Sequence, residues 1–320
     1  MLNVAIIGNQ DTLMEHANTW STIHSANVTG ILVTDSQTKH ISKDLESMLV
    51  SSFEELDLDK LDVVDVCVPV DKRAEWIERA AAKKLPVICD LPLGQTQEEI
   101  LSAFRACKEN GVHCYPGNGF HFAPMYANAK TQIKNGALGK PGVIRLSSQL
   151  AHPGGTADIF AALGAGLFSW VHDAYGKVER VTAKHVQKST KNGSPVEYAV
   201  ATLRLESGAL VHVELSWAGA GSHSSFELTG DKGMLHYDSK ENDPILVESF
   251  LVAEDTEEHD MVMTKSVLER QMEHYTTCIQ KGQPPEITSE SVIHAMKIAE
   301  AASESAKTKE PVPMKRGEAL

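Results

Sequence analysis

The sequence predicts an α/β protein of two domains: a doubly wound parallel sheet, then an α+β domain with a large, open, mostly antiparallel sheet. The chain has 320 residues, and single hydrophobic cores seldom grow beyond roughly 250 residues. Short β-branched runs alternate with amphipathic stretches up to residue 118, whereas later strand-like runs follow one another without helices between them. We therefore place the domains at residues 1–118 and 119–320, and expect the last helix and tail to pack back toward the first domain.

The first domain is expected to contain five strands separated by helices. The strands are predicted at residues 4–7, 28–34, 63–68, 86–89 and 112–115. Thr12 with Glu15, and Thr96 with Glu99, have the spacing of capping boxes and indicate two helix N-termini.

The second domain is expected to be rich in strands. Helices are predicted at 126–134 and 157–175, strands at 143–150, 178–186, 196–205, 209–217, 225–229 and 245–252, and further helices at 265–280 and 289–306. An open sheet of this size needs a cover on its second face. We therefore expect a homodimer or homotetramer that packs through this sheet.

Composition excludes several classes of partner. Thirty basic and 43 acidic residues give a net charge of −13, which disfavours nucleic acid and anionic membranes. No apolar run approaches the ~20 residues of a membrane helix and the N-terminus lacks a signal-peptide pattern, so we expect a cytoplasmic protein. The five cysteines show no C-x-x-C spacing, so we expect reduced, structural thiols and no metal site.

The segment VAIIGNQDTLMEH, residues 4–16, has part of the pattern of a Rossmann-type dinucleotide-binding turn. Such a turn uses three glycines, for the tight turn, for the approach of the pyrophosphate and for close helix packing. Only Gly8 is present, because Gln10 and Leu13 occupy the second and third positions. The turn therefore leaves open whether a dinucleotide binds or the connection is empty.

Two further features favour a nucleotide. Asp35, at the end of the second strand, can accept hydrogen bonds from an adenosine ribose and would repel a 2′-phosphate, which favours NAD over NADP. The start of the first helix, with Asn9, Gln10 and Asp11, offers backbone N–H groups to an anion. A simple turn acid is the alternative for Asp35.

The chain resembles the glucose-fructose oxidoreductase / inositol dehydrogenase / MocA family of nicotinamide-dependent enzymes over nearly its whole length. The opening segment is similar to the family's first strand, turn and helix, including a histidine, His16, eight residues after the first glycine. Residues 61–94, LDVVDVCVPVDKRAEWIERAAAKKLPVICDLPLG, are similar to its third strand, which ends at a proline, and to the fourth strand with its Glu-Lys-Pro motif. GALGKPGVIRLSS (136–148), FELTGDKGMLHYD (226–238) and AEAASESAKTKEPVPM (299–314) match second-domain positions. The resemblance implies that Val68, Pro69 and Asp90 also contact NAD.

The chain departs from the family at the residues that move protons. Glu-Lys-Pro becomes Asp90-Leu91-Pro92, so Leu91 replaces the lysine that contacts cofactor and substrate. The family's aspartate and histidine on a second-domain helix, counted back from Gly176, fall on Ala162 and Gly166. A later aspartate falls on Ser169, and the histidine after the strand-three proline falls on Arg73.

The substituted positions are expected to share one region. At about 100° per residue, Ala162, Gly166 and Ser169 would lie along one face of a continuous helix. We expect Leu91 to face them across a cleft. Removal of a general base typically lowers a rate by about 10²–10⁴, so these substitutions bear directly on activity.

Two other residues are our candidates for proton transfer. Asp158 precedes Ala162 by one turn and could place a carboxylate near the missing aspartate, although the helix dipole also favours an acid at a helix start. His121 lies in the segment that joins the domains, where a structural histidine is the alternative. His152 is expected in a solvent-exposed loop.

Together these features favour an NAD-linked oxidoreductase that transfers a hydride to or from a sugar-like or cyclic polyol substrate, with Asp158 or His121 in the proton relay. A second hypothesis is a catalytically degenerate relative that binds a nucleotide or sugar-like ligand as a sensor or partner protein. A third is a lyase or hydrolase that uses bound NAD transiently.

Overall fold

A computed structural model of the chain describes residues 1–35, 43–153, 157–189, 195–219, 221–241, 246–249 and 265–314. They form two compact units. The first comprises the described residues of Met1–Phe122 and Thr264–Ile293, and the second those of Ala123–Met263 and His294–Ala319. A segment from the later part of the sequence thus completes the first unit.

The first unit contains a parallel sheet. Its strands are β1 (Leu2–Gly8), β2 (Ala26–Val33), β3 (Leu49–Val50), β4 (Val63–Cys67), β5 (Val87–Asp90) and β6 (Cys114–Gly117), in the order β3-β2-β1-β4-β5-β6. Every neighbouring pair is parallel. The predicted doubly wound sheet is confirmed, and β3 was missed because two residues are too few to show a pattern. The order reverses between β1 and β4, where ligands bind at the carboxyl ends of strands in such sheets.

The helices are, in chain order, α1 (Gln10–Thr22), α2 (Lys43–Glu46), α3 (Val70–Ala82), α4 (Gln97–Glu109), α5 (Gly119–Phe122), α6 (Pro124–Lys134), α7 (Ile159–Ala162), α8 (Gly164–Tyr175), α9 (Val267–Gln280) and α10 (Ser289–Thr308). One predicted capping box is confirmed, because the Thr96 hydroxyl accepts a hydrogen bond from the Glu99 N–H at 3.2 Å. The other is wrong. Asn9 is the N-cap of α1 and Thr12 lies inside the first turn.

The second unit contains a sheet of β7 (Pro141–Gln149), β8 (Val178–Ser189), β9 (Pro195–Leu205), β10 (Leu210–Ser216), β11 (His223–Gly230), β12 (Gly233–Asp238), β13 (Leu246–Ser249) and β14 (Val312–Pro313). Their order is β13-β12-β11-β7-β10-β9-β8-β14. The β7–β10 pair is parallel and the other pairs are antiparallel. The prediction of a mostly antiparallel sheet is confirmed. The predicted strand at 245–252 falls partly outside the described residues.

The two faces of this sheet differ in cover. Along β9, alternate residues from Glu197 to Leu205 are buried, whereas Tyr198 and Val200 between them are exposed. The buried face packs against α7 and α8, whose Phe160, Phe168 and Trp170 are almost fully enclosed. The sequence of β9 therefore encodes one covered and one open face.

All five cysteines are buried free thiols, as the sequence analysis expected. In the described part of the chain, no helix combines the length and apolar character that a membrane span requires.

Candidate active site

The residues predicted to bind a nucleotide lie at the carboxyl ends of the parallel strands. Gly8 ends β1, Asp35 follows β2, Val68 and Pro69 follow β4, and Asp90 ends β5. Asn9, Gln10 and Asp11 form the N-cap and first residues of α1. Because parallel strands end at one edge of a sheet, these positions share one edge of the first unit.

Gly8 and Asn9 shape the turn at the switch point. A Cβ at Gly8 would lie 2.4 Å from the Sγ of Cys67 and 3.0 Å from its carbonyl oxygen, so only glycine permits the close approach of β1 and β4. The side chain of Asn9 makes no capping hydrogen bond. The N-terminus of α1 therefore lacks the usual side-chain cap and can direct its N–H groups at a phosphate.

Asp35 is held beside this turn. The Thr34 N–H donates to the Gly8 carbonyl at 2.9 Å, and Val33 pairs with Gly8 in register, so the end of β2 adjoins the turn. The Asp35 side chain is exposed. Leu13, which replaces the third glycine, is fully buried in the core of this unit. The uncapped helix start and the exposed acid next to it fit the pyrophosphate and adenosine ribose of NAD.

A buried polar network lies between α1 and the sheet. The Nδ1 of His16 lies 2.9 Å from the Oδ2 of Asp65, and the Trp20 indole N–H donates to the same oxygen at 2.7 Å. Asp65 occupies the centre of β4 and is fully buried. Its other oxygen, Oδ1, has no hydrogen-bond partner among the described residues. Burial of a carboxylate is costly unless it is paired. The contacts from His16 and Trp20 therefore stabilise the buried carboxylate of Asp65.

His16 links this network to Asp90 at the nucleotide edge. Its Nε2 lies 3.6 Å from the Oδ2 of Asp90, and the Gln271 side-chain amide donates to the Oδ1 of Asp90 at 2.8 Å. A Cβ at Gly117 would lie 1.7 Å from that Oδ1 and 2.5 Å from the amide nitrogen of Gln271. The absence of a side chain at Gly117 therefore gives Asp90 and Gln271 room to meet.

The protonation states of His16 and Asp90 are set by the charged groups next to them. Burial by itself would lower the pKa of His16, but the carboxylates of Asp65 and Asp90 raise it to about 11. Burial would likewise raise the pKa of Asp90, but the His16 imidazolium, the Gln271 amide and the Arg73 guanidinium hold it below its ordinary value. His16 is thus a permanent cation at neutral pH, and Asp90 a permanent carboxylate.

Arg73 donates hydrogen bonds to the backbone at the carboxyl ends of β4 and β5. Its Nε donates to the Val68 carbonyl at 3.0 Å, and its Nη1 donates to the carbonyls of Asp90 and Pro92 at 2.7 and 2.9 Å. At this position, where the resemblance implies a histidine, the chain thus has a side chain that shapes the backbone after β4 and β5. Leu91 lies next to Asp90 and its N–H donates to the Gly117 carbonyl at 2.8 Å.

Sequence reasoning identified the edge but missed the network behind it. An aspartate inside the apolar run VVDVC was a signal for a buried, paired acid at Asp65. No sequence signal indicated Gln271, which joins the first unit from about 180 residues further along the chain than Asp90. His121, our candidate for proton transfer, lies in α5 just after β6 and is buried.

In the second unit, the predicted helix at 157–175 is confirmed for residues 159–162 and 164–175, but it divides into α7 and α8 at Leu163. A Cβ at Gly164 would lie 2.7 Å from Phe168 and 3.0 Å from Leu215, so this glycine lets α8 begin close against β10. Ala162 ends α7, whereas Gly166 and the buried Ser169 belong to α8. The three positions therefore do not lie on one continuous helix.

Asp158 serves as the N-cap of α7. Its Oδ1 accepts hydrogen bonds from the N–H groups of Phe160 at 2.9 Å and Ala161 at 3.1 Å, and its Oδ2 accepts one from the Ser303 hydroxyl at 2.6 Å. These bonds account for an acid at this position by helix capping. His152 is not the exposed loop residue that we expected, because its side chain is 9% exposed and lies beside Glu197.

Among the described residues, no three His, Cys, Asp or Glu side chains come together in an arrangement that could hold a metal ion.

Fold and edge geometry define the class of protein as one with a Rossmann-type nucleotide-binding domain. The family model described as "Oxidoreductase family, NAD-binding Rossmann fold" matches residues 2–118, and the model described as "Oxidoreductase family, C-terminal alpha/beta domain" matches residues 130–314. The chain belongs to the glucose-fructose oxidoreductase / inositol dehydrogenase / MocA family, and its first domain is the family's NAD-binding domain.

Individual relatives are distant but cover most of the chain. The uncharacterized oxidoreductase YrbE of Bacillus subtilis is 24% identical over 81% of this chain and 80% of its own length. The scyllo-inositol 2-dehydrogenase (NAD(+)) of the same organism is 23% identical over 84% of this chain and 82% of its own. A crystal structure of an oxidoreductase from Agrobacterium radiobacter, in complex with NAD+, L-tartaric acid and magnesium, has a TM-score of 0.80 at 19% identity, covering 98% of each chain.

Proposed function

We propose that this protein is an NAD-linked oxidoreductase that transfers a hydride between a cyclic polyol or sugar-like substrate and the cofactor. The observation that carries the proposal is the carboxyl edge of the parallel sheet, where the uncapped start of α1 adjoins the exposed carboxylate of Asp35. Membership of the oxidoreductase family and the activity of the scyllo-inositol 2-dehydrogenase relative support it.

In this proposal, residues 1–118 hold NAD and residues 119–320 supply the substrate contacts. The start of α1 holds the pyrophosphate and Asp35 accepts hydrogen bonds from the adenosine ribose, which favours NAD over NADP. When bound, NAD supplies the group that accepts or donates the hydride. Asp90, kept ionised by His16 and held by Gln271, is a fixed hydrogen-bond acceptor at the same edge.

The test is oxidation of defined polyols. Purified protein is mixed with NAD+ and myo-inositol, scyllo-inositol or D-xylose, and NADH formation is followed by absorbance. We expect turnover with at least one of these probes, and a higher kcat/KM with NAD+ than with NADP+. No turnover with any polyol, despite saturating NAD+, would contradict the proposal.

We further propose that the open face of the second-unit sheet joins copies of the chain in a homodimer or homotetramer. Tyr198 on this face is 53% exposed, and Val186, Val200 and Leu210 are also exposed. Large apolar side chains side by side on a sheet face are a typical interaction surface. Size-exclusion chromatography with light scattering should show an oligomer that Val200→Asp dissociates, and a monomeric parent protein would contradict this.

A further inference from the structure

The two acids at the edge of the parallel sheet lie on opposite sides of its switch point. Asp35 follows β2, on the side of β1, β2 and β3, whereas Asp90 ends β5, on the side of β4, β5 and β6. A doubly wound sheet binds a dinucleotide across the point where its strand order reverses, with one mononucleotide on each half. Since Asp35 belongs to the half of the adenosine ribose, Asp90 belongs to the half of the nicotinamide.

The carboxylate of Asp90 is held from inside the first unit and remains accessible. Its Oδ1 accepts a hydrogen bond from the Gln271 amide at 2.8 Å, and its Oδ2 lies 3.6 Å from the Nε2 of His16. The side chain of His16 is 3% exposed, whereas that of Asp90 is 35% exposed. A carboxylate offers about four lone-pair sites, so these two contacts leave other sites for a ligand at this edge.

The network presents a negative charge through Asp90. His16 lies between two acids, because its Nδ1 is 2.9 Å from the Oδ2 of Asp65. One imidazolium thus meets two carboxylates, and the three groups together carry one negative charge. His16 and Asp65 are buried, so the accessible part of that charge is the carboxylate of Asp90. The nearby Arg73 guanidinium donates its hydrogen bonds to backbone carbonyls rather than to this carboxylate.

The oxidised and reduced forms of the cofactor differ in charge at one place. The nicotinamide ring of NAD+ is a cation and that of NADH is neutral, while the adenosine, ribose and pyrophosphate groups are the same. A carboxylate on the nicotinamide half therefore attracts the ring of NAD+ alone, and more strongly where water is excluded. A hydrogen bond to a ribose hydroxyl would stabilise both forms equally. The ratio of the two affinities thus distinguishes an effect of charge from one of hydrogen bonding.

We propose that Asp90 is a specificity residue that favours NAD+ over NADH, because its carboxylate stabilises the positive charge of the nicotinamide ring. Gln271 and His16 are positioning residues that hold this carboxylate at the edge of the sheet. Asp35, on the adenosine half, does not distinguish the two forms. This inference rests on the proposed function above, but it concerns cofactor binding alone and is tested without a substrate.

The experiment measures the dissociation constants of NAD+ and NADH by calorimetry for the parent protein and three variants. Asp90→Asn removes the charge and nearly keeps the size of the side chain. Asp35→Asn is the matched control, because it makes the same change at the same edge of the same unit. Gln271→Met keeps the carboxylate but removes the amide that holds it. Circular dichroism confirms that each variant is folded.

We expect Asp90→Asn to weaken NAD+ binding about tenfold more than NADH binding, because the lost attraction acts on the cation alone. Gln271→Met should change the ratio of the two affinities in the same direction by a smaller factor. Asp35→Asn should weaken both forms by the same factor.

Equal losses of NAD+ and NADH affinity in Asp90→Asn, or an equal change of the ratio in Asp35→Asn, would overturn this inference and leave the proposed function standing. If Asp90→Asn does not fold, an unchanged ratio in Gln271→Met overturns it. Absence of binding of either form to the parent protein would instead overturn the proposed function itself.

Discussion

The two units differ in how they retain the chemistry of their family. In the first unit, the turn after β1, the acid after β2 and the carboxylate at the end of β5 all lie at the edge where a nucleotide is expected. In the second unit, Ala162 and Gly166 stand at the positions where the resemblance implies an aspartate and a histidine, and the buried Glu197 lies 2.8 Å from the Nε2 of His185 instead.

This difference shows which features depend on backbone and which on side chains. The nucleotide edge is built largely from strand ends, backbone N–H groups and a helix start, so it persists although Gln10 and Leu13 replace glycines. A proton carrier is one side chain, so a single substitution removes it. Substitutions in the first unit should therefore act on stability and cofactor affinity.

The largest effect on stability is expected from Asp65→Ala. The change leaves the Trp20 N–H and the Nδ1 of His16 without their acceptor, and loss of one partner of a buried pair costs about 3–5 kcal/mol. Urea denaturation followed by circular dichroism measures it. Asp59→Ala, at an exposed position of the same unit, should change the unfolding free energy by no more than about 0.5 kcal/mol. Equal effects of the two variants would show that the network is not structural.

A smaller effect is expected from Gly117→Ala, which tests the contact between Asp90 and Gln271. The added methyl group would displace both side chains, and overpacking of this kind costs about 1–3 kcal/mol. Gly221→Ala is the control, because a Cβ there meets no atom of the described residues within 4 Å. We expect Gly117→Ala, but not Gly221→Ala, to weaken NADH binding in calorimetry as well. Normal NADH affinity in Gly117→Ala would remove Asp90 from the cofactor site.

His16 should make stability depend on pH. Its pKa is about 11 in the folded protein against 6.5 ordinarily, so its contribution is complete below about pH 6.5 and decreases as pH rises toward 11. Between pH 6.5 and 8.5, the unfolding free energy of the parent protein should fall relative to His16→Gln by up to about 1.4 kcal/mol per pH unit. Urea denaturation at several pH values measures the slope. Parallel profiles would mean that His16 is neutral.

The two sheet architectures could be predicted from the sequence because each strand shows its own periodicity. The succession of strands and helices along the chain then distinguishes a parallel from an antiparallel sheet. Sequence reasoning failed where a contact joins distant segments, as for Gln271 and Asp90, or where packing divides a helix, as at Leu163. It placed His152 in solvent because nothing in the sequence around Glu197 indicates that β9 brings a buried carboxylate to it. The nucleotide edge was predictable, and the side-chain networks behind it were not.

The most direct test of the account is calorimetric titration of the parent protein and Asp35→Ala with NADH and with NADPH. We expect the parent protein to bind NADH more tightly than NADPH, because Asp35 accepts from the ribose and repels a 2′-phosphate. Asp35→Ala should weaken NADH binding by at least about tenfold, because a hydrogen bond to a charged group contributes about 1.5–3 kcal/mol and each 1.4 kcal/mol is about tenfold in affinity. Equal NADH affinity in the two proteins, or no binding to the parent protein at millimolar NADH, would contradict the assignment of this edge as the cofactor site.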